Sequence, residues 1–268
     1  MTDNRRTGSG KSTLMQTLFR LLELEEGRIT IDGVDVADVG LHTLRTKISV
    51  IPQVPTLFSQ CTVRENLDIF GLHSEENLTK ALESARMSIA IKELPHGLDS
   101  MVSEDGTNFS VGQRQLLCLA RAILNHNKIL VLDEATASVD RRTDELLHEA
   151  LKESFQDATI IAVAHRLDTV IESDFILVLG HAQVLEFASP AELIRSNGAF
   201  ASMVKDTGES MSQTLQQLAF EAERSKREDK SKAAYTVATS SSSLMTGEWE
   251  ARPGHPDSGI ELCHRSKS

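Results

Sequence analysis

The stretch Arg6-Thr-Gly-Ser-Gly-Lys-Ser-Thr13 decides the fold of this 268-residue chain. It contains two glycines, a lysine and several hydroxyl side chains. Its last three residues begin Lys11 to Leu24, a segment with helical spacing. Backbone N–H groups of such a loop bind phosphates, while its lysine and serine contact the terminal phosphates and Mg²⁺. Alone, the pattern also fits an ordinary glycine-rich helix start, because Arg5 stands where the complete pattern has its first glycine.

A second stretch, Lys128-Ile-Leu-Val-Leu-Asp-Glu134, favours the phosphate-binding interpretation. Four apolar residues followed by two acids predict a buried strand with Asp133 and Glu134 at its carboxyl end. Asp133 can then act on Mg²⁺, and Glu134 can accept a proton from an attacking water. Two acids that merely end a strand are the alternative interpretation of this stretch.

Short apolar runs alternate with helical segments along the chain, which predicts an α/β fold with a mostly parallel sheet covered on both faces. Residues 54–125 depart from this alternation and carry apolar residues at helical spacing, so we expect an inserted α-helical subdomain there. We expect a polar helix over residues 209–232. Residues 233–268 are rich in Ser, Gly and Pro and predict a disordered tail.

The charge of the chain argues against a nucleic-acid partner. It carries 28 Lys and Arg against 39 Asp and Glu, a net charge of −11, whereas nucleic-acid binding needs a basic surface. No apolar run approaches the ~18–20 residues that a membrane helix needs, so we expect the chain to be soluble by itself.

Between the first two stretches lies a third, Asn108-Phe-Ser-Val-Gly-Gln-Arg-Gln115, in which a serine and a glycine open a helix. Gln53, Ala137-Ser-Val-Asp140 and His165 complete an ordered set of motifs that resembles the ABC (ATP-binding cassette) ATPases. A lone histidine after a strand would otherwise be interpreted as part of the core. The surrounding residues, 6–208, resemble the second nucleotide-binding domain of C-subfamily, multidrug-resistance-associated exporters.

The resemblance implies a P-loop NTPase (RecA-like) core in domain 1–208 and an ATPase that uses ATP and Mg²⁺. It implies three catalytic residues, namely Glu134 as the base, His165 at the γ-phosphate, and Gln53. The implied Mg²⁺ ligands are Ser12, Gln53 and Asp133. The implied ATP-binding residues are Thr7, Gly8, Ser9, Gly10, Lys11, Ser12 and Thr13. The implied signature residues, which contact a partner domain's nucleotide, are Ser110, Val111, Gly112 and Gln113, and the implied D-loop residues are Ser138 and Asp140.

The resemblance also implies partners and a place in the cell. A second ABC nucleotide-binding domain would pack head to tail, and the transmembrane domains of a parent transporter would anchor the pair at the cytoplasmic face of the plasma or vacuolar membrane. ATP hydrolysis would drive export of organic anions and conjugates. Two alternatives stay open: a soluble ABC ATPase of DNA repair, translation or cofactor assembly, and a non-catalytic module that caps a nucleotide on another chain.

Three features depart from the family pattern. No aromatic residue precedes Thr7 to stack on adenine, no strand leads into the loop, and Gln60-Cys61 stands where the family has a single glycine. We therefore expect an N-terminally shortened piece of a longer transporter, with its N-terminal β-subdomain largely missing. We expect ATP binding weakened about tenfold, which is the value of one lost aromatic stack, and little or no hydrolysis by the chain alone.

Overall fold

The structure is a computed structural model, and the residues that it describes are 10–133, 139–164, 166–241 and 260–263, with side chains described through residue 226. The described residues form two compact units. The first, called the sheet unit below, comprises residues 12–133, 139–164 and 260–263. The second, called the hairpin unit, comprises residues 10–11 and 166–241.

Helices and strands alternate along most of the described chain. The strands are β1 (Arg28–Ile31), β2 (Val34–Asp35), β3 (Ile48–Ile51), β4 (Ile129–Asp133), β5 (Thr159–Val163), β6 (Ile176–Gly180), β7 (Gln183–Ala188) and β8 (Ile260–Cys263). The helices are α1 (Lys11–Leu18), α2 (Leu41–Thr46), α3 (Val63–Leu67), α4 (Glu75–Ser84), α5 (Ser88–Lys92), α6 (Val111–Asn125), α7 (Arg141–Ser154), α8 (Leu167–Val170), α9 (Pro190–Ser196), α10 (Ala199–Lys205) and α11 (Glu209–Ser241).

A parallel sheet forms the centre of the sheet unit, as the alternating apolar runs predict. Its strand order is β3-β4-β5, and both pairs are parallel. Ile51 pairs with Leu132, and Asp133 pairs with Val163, so the three strands end at one edge. Parallel strands need a crossover between them, and α7 supplies it between β4 and β5.

Each face of this sheet contributes to a different core, because successive strand residues point to opposite sides. On one face, Val131 of β4 shares a buried cluster with Met15 and Leu18 of α1. On the other face, Leu130 of β4 joins a larger cluster with side chains of α3, α4, α6 and α7. The sheet is therefore covered on both sides, and α1 is fixed to it by its apolar stripe.

The stretch 54–125, which is described throughout, contains the four helices α3 to α6 and one isolated β-bridge, between Thr62 and Met101. The longest, α6, contacts α3, α4, α7 and β3. It ends at His126, whose φ of 48° is the left-handed conformation that commonly terminates a helix. These contacts link the helical stretch to the sheet through α6.

A small antiparallel sheet completes the sheet unit. Asp32 and Gly33 join β1 to β2 in a two-residue turn with φ of 50° and 78°, the type I′ combination that matches hairpin twist. The other edge of β1 pairs with β8, from Arg28 opposite Cys263 to Ile31 opposite Ile260. This strand lies in the tail for which the sequence predicted disorder, and nothing in its local composition indicates such pairing.

The hairpin unit is built from the antiparallel pair β6 and β7 and the helices that follow it. Ser189 caps α9, and Pro190 is its first residue. The buried side chains of this unit form a core of their own. Their members are Ile171, Val178, Leu193, Ile194, Phe200, Val204, Leu215 and Ala219.

The last described helix, α11, is longer than the sequence predicted. It runs from Glu209 to Ser241, past residue 232, where the predicted helix ends. No Gly or Pro interrupts residues 233–241, and Ala233 and Ala234 favour a helix. Within the described ranges, no helix is both long and apolar enough to span a bilayer.

Candidate nucleotide site

The N-terminus of α1 carries the predicted phosphate contacts. Gly10 has a φ of 93°, a left-handed conformation that favours glycine, and the helix begins at the next residue, Lys11. Ser12 and Thr13 are exposed in the first turn, where helix geometry leaves N–H groups without an intrahelical acceptor. The first turn has no acidic residue to compete for these groups. This end of α1 therefore suits an anion.

The carboxyl edge of the parallel sheet brings two further predicted residues together. Gln53 follows β3 by two positions, and Asp133 ends β4. Because Ile51 is paired with Leu132, the chain leaves both strands at the same edge. Gln53 is exposed and Asp133 is half-buried. A carboxylate, an amide oxygen and the Ser12 hydroxyl are hard oxygen donors of the kind that Mg²⁺ prefers, so the donor set fits this metal.

The signature residues open α6 through a reciprocal cap. The Ser110 hydroxyl accepts from the Gln113 N–H at 3.1 Å, and the Gln113 side chain accepts from the Ser110 N–H at 2.9 Å. Exposed Ser110 and half-buried Gln113 are therefore fixed in orientation. The N–H groups of Val111 and Gly112 stand in the first turn without an intrahelical acceptor, which is the arrangement of an anion-binding helix end.

Asp140, a predicted D-loop residue, is connected to the predicted signature through one side chain. Asp140 caps α7 by accepting from the Thr143 hydroxyl at 2.7 Å and from the Thr143 N–H at 3.1 Å. These hydrogen bonds favour the carboxylate and hold the pKa of Asp140 below its usual value. Thr143 also packs on Gly112, where an added Cβ would lie 2.8 Å from its Cγ2. The signature and the D-loop are thus mechanically linked.

Arg121, which holds the segment after Gln53, was not among the residues that the sequence predicted for the site. Its guanidinium donates to the Thr56 carbonyl at 2.7 Å, to the Asn66 carbonyl at 2.5 Å and to the Asn66 side chain at 2.7 Å. It also lies 5.4 Å from the ring centre of Phe58. Burial lowers the pKa of Arg121. A lone arginine in the apolar segment Leu116 to Leu124 was the available signal, because such a position needs buried acceptors.

Gln115 was not among the predicted site residues either. Its side-chain amide donates to the Pro52 carbonyl at 3.1 Å. Gln115 is completely buried in α6, and Pro52 directly precedes Gln53. The bond therefore ties α6, called the signature helix below, to the segment that begins with Pro52 and Gln53, called the Q-loop below.

Several predicted site residues lie outside the described residues, namely Thr7, Gly8, Ser9, Glu134, Ser138 and His165. The elements next to two of them are described, since β4 ends one residue before Glu134 and β5 ends two residues before His165. The predicted shortening at the N-terminus likewise concerns residues before Gly10. The roles of these residues stay predictions.

Comparisons with known proteins identify the family. Residues 6–137 match the family model described as ABC transporter. The chain is 49% identical over 203 residues to ATP-binding cassette sub-family C member 3 of Mus musculus, and 50% identical over 203 residues to sub-family C member 2 of Homo sapiens. Each match covers 76% of this chain, which spans only 13% of the relative's length.

The fold is also similar to a solved transporter structure. A bacterial Atm1-family ABC exporter with ATP bound is matched at a TM-score of 0.70 and 35% identity. The match covers 76% of this chain and 36% of the other. The architecture is therefore the α/β fold of a P-loop NTPase, as predicted.

Proposed function

Because the chain belongs to the ABC transporter family and is similar to the nucleotide-binding regions of its C-subfamily, we propose that it binds and hydrolyses ATP to drive export across a membrane. The observation that carries the proposal is the shared carboxyl edge, where Gln53 and Asp133 leave neighbouring parallel strands. The α1 helix, which begins with Lys11 and Ser12, packs on a face of the same sheet through Met15.

In this proposal the residues at the start of α1 hold the phosphates of ATP. Backbone N–H groups of the loop that ends at Gly10 surround the phosphates, and Lys11 neutralises the charge of the terminal ones. Ser12, Gln53 and Asp133 would hold Mg²⁺, which supplies a positive charge that screens the phosphate oxygens.

The chemical step transfers the γ-phosphoryl group to water. Glu134 accepts a proton as the water oxygen bonds to the γ-phosphorus, and the bond from that phosphorus to the β–γ bridging oxygen breaks to leave ADP. Gln53 orients the water, and His165 donates a hydrogen bond to the γ-phosphate. The products are ADP and inorganic phosphate.

The partner in this proposal is a second ABC nucleotide-binding domain, packed head to tail. The capped N-terminus of α6, with Ser110 and Gly112, would face the γ-phosphate of the nucleotide held by that partner. Since each nucleotide then needs residues from two domains, we expect the chain by itself to hydrolyse ATP slowly.

The finer parts of the proposal rest on the sequence resemblance to C-subfamily exporters. They are that the whole transporter exports organic anions and conjugates, that its transmembrane domains receive movements of residues 54–125, and that this domain works at the cytoplasmic face of the plasma or vacuolar membrane.

Titration of the chain with a fluorescent ATP analogue, combined with an ATPase assay, tests the proposal. We expect Lys11→Ala to weaken binding about 10- to 100-fold, because a charge-assisted contact to phosphate is lost. Lys92→Ala, at the exposed end of α5, removes an equal charge away from the site and should leave binding unchanged. Glu134→Gln should keep binding and lower the slow hydrolysis about 10²- to 10⁴-fold.

Three outcomes would contradict parts of the proposal. Equal binding by wild type and Lys11→Ala would exclude the phosphate site at α1. Rapid hydrolysis by the chain alone, abolished by Glu134→Gln, would show that no partner domain is needed. No binding by wild type, together with capture of nucleotide only when a second nucleotide-binding domain is added, would favour the capping module instead.

A further inference from the structure

We infer that Gln115 is a positioning residue that holds Gln53 at the Mg²⁺ site by joining Pro52 to the signature helix. The inference rests on the proposed function, and it gives that site a direct connection to the face that meets the partner's nucleotide. Gln115 itself touches neither nucleotide nor metal in this account.

The hydrogen bond from Gln115 anchors the backbone directly before Gln53. The β3–β4 ladder ends with Ile51 opposite Leu132, so the Pro52 carbonyl lies beyond the last strand pair. The side-chain Nε2 of Gln115 donates to this carbonyl at 3.1 Å. Fixing the Pro52 carbonyl fixes the peptide that leads into Gln53. The backbone of the Q-loop is therefore anchored at its first residue by α6 rather than by the sheet.

Burial of the Gln115 side chain has a cost in stability. The side chain has no exposed area, and within the described residues its Oε1 has no hydrogen-bond partner. An unpaired buried amide oxygen is costly, whereas a methionine of similar length would pack there without that cost. Stability alone therefore does not account for a glutamine here. The one thing that it supplies and methionine does not is the donor to Pro52.

Gln115 lies close to the predicted signature residues in α6. It lies two residues after Gln113 and five after Ser110, the residues of the reciprocal cap. A shift of the α6 N-terminus on meeting a partner's nucleotide would move the Pro52 carbonyl through this bond, and a shift of Gln53 would act on α6. The two nucleotides of a head-to-tail pair are then coupled through one side chain.

The test measures how Mg²⁺ controls ATP binding by the 268-residue chain. With a fluorescent ATP analogue, we expect Gln115→Met to raise the Mg²⁺ concentration for half-maximal binding about tenfold, the lower end of the effect of a residue that orients a metal ligand. Binding in EDTA, which depends on the α1 loop, should not change. A purely structural role would weaken ATP-analogue binding both with Mg²⁺ and in EDTA. The difference between the two conditions therefore identifies positioning.

A double-mutant cycle with Gln53→Ala sharpens the test. If Gln115 acts through Gln53, the double variant should show the same Mg²⁺ dependence as Gln53→Ala alone. Ser49→Ala is the matched control, because it removes a buried hydrogen bond, from Asn127, at the other end of the same strand β3. It should leave the Mg²⁺ dependence at the wild-type value.

Hydrogen exchange without nucleotide provides a second measurement. Gln115→Met and a second variant, Gln115→Leu, both lack the donor, so each should lose hydrogen-exchange protection over residues 52–58, and Ser49→Ala should not. Unchanged Mg²⁺ dependence in Gln115→Met, or additive effects in the double variant, would overturn the inference while wild-type binding upholds the proposed function. A wild-type chain that binds no Mg-ATP would overturn both.

Discussion

At the scale of single residues, Gly112 is fixed by its neighbour rather than by its backbone conformation. An added Cβ would lie 2.8 Å from Cγ2 and 3.0 Å from Oγ1 of Thr143. Thr143 has little freedom to move, because its hydroxyl and its N–H both bond to Asp140. Glycine at this signature position therefore permits the close approach of α6 and α7.

We predict that Gly112→Ala lowers the free energy of unfolding by about 1–3 kcal/mol, the usual cost of forcing a methyl group into a packed contact. Urea unfolding measures this change. Thr143→Ser removes the closest methyl group and keeps the hydroxyl that bonds to Asp140. The double variant should therefore recover part of the loss, relative to Thr143→Ser alone. A double variant as unstable as the sum of the two single changes would show that Thr143 is not the obstacle.

At the scale of elements, α6 shows what the sequence could and could not predict. The serine and glycine at its start, and its apolar spacing, predicted a helix that opens at the signature. The contacts of its inward face were not predictable in the same way. Gln115 reaches Pro52, and Arg121 reaches Thr56 and Asn66, all more than 50 residues away in the sequence. Local patterns carry no information about such pairs.

Arg121 provides the element-scale prediction, since it binds α6 to the segment after the Q-loop. Arg121→Ala leaves the Thr56 and Asn66 carbonyls without this donor, and we expect it to lower the free energy of unfolding by about 2–4 kcal/mol. Arg86→Ala is the matched control: it removes an arginine whose partner is the exposed Glu153, and should cost less than about 1 kcal/mol. Similar losses for both variants, measured by thermal or urea unfolding, would contradict the structural role of Arg121.

At the scale of the whole molecule, the fold class follows from the sequence, while the division into two units does not. Short apolar runs that alternate with helical segments predicted the parallel sheet, because parallel strands buried on both faces are almost continuously apolar. The predicted nucleotide-binding domain, 1–208 with an inserted helical subdomain, stays a prediction. The described residues form two units, and α11 contributes Leu215 and Ala219 to the core of the hairpin unit. The sequence predicted a polar helix over residues 209–232 but not what that helix covers.

Separate cores predict separate unfolding. Leu215 is buried in the core of the hairpin unit, which shares no buried residue with the two cores of the sheet unit. We expect Leu215→Ala to cost about 2–5 kcal/mol by leaving a cavity, and to release hydrogen-exchange protection over residues 166–226 while β3, β4 and β5 stay protected. Met211→Ala, at a half-exposed position of the same helix, should change little. Equal loss of protection in both units would instead show that they unfold as one cooperative body, so that α11 stabilises the nucleotide site itself.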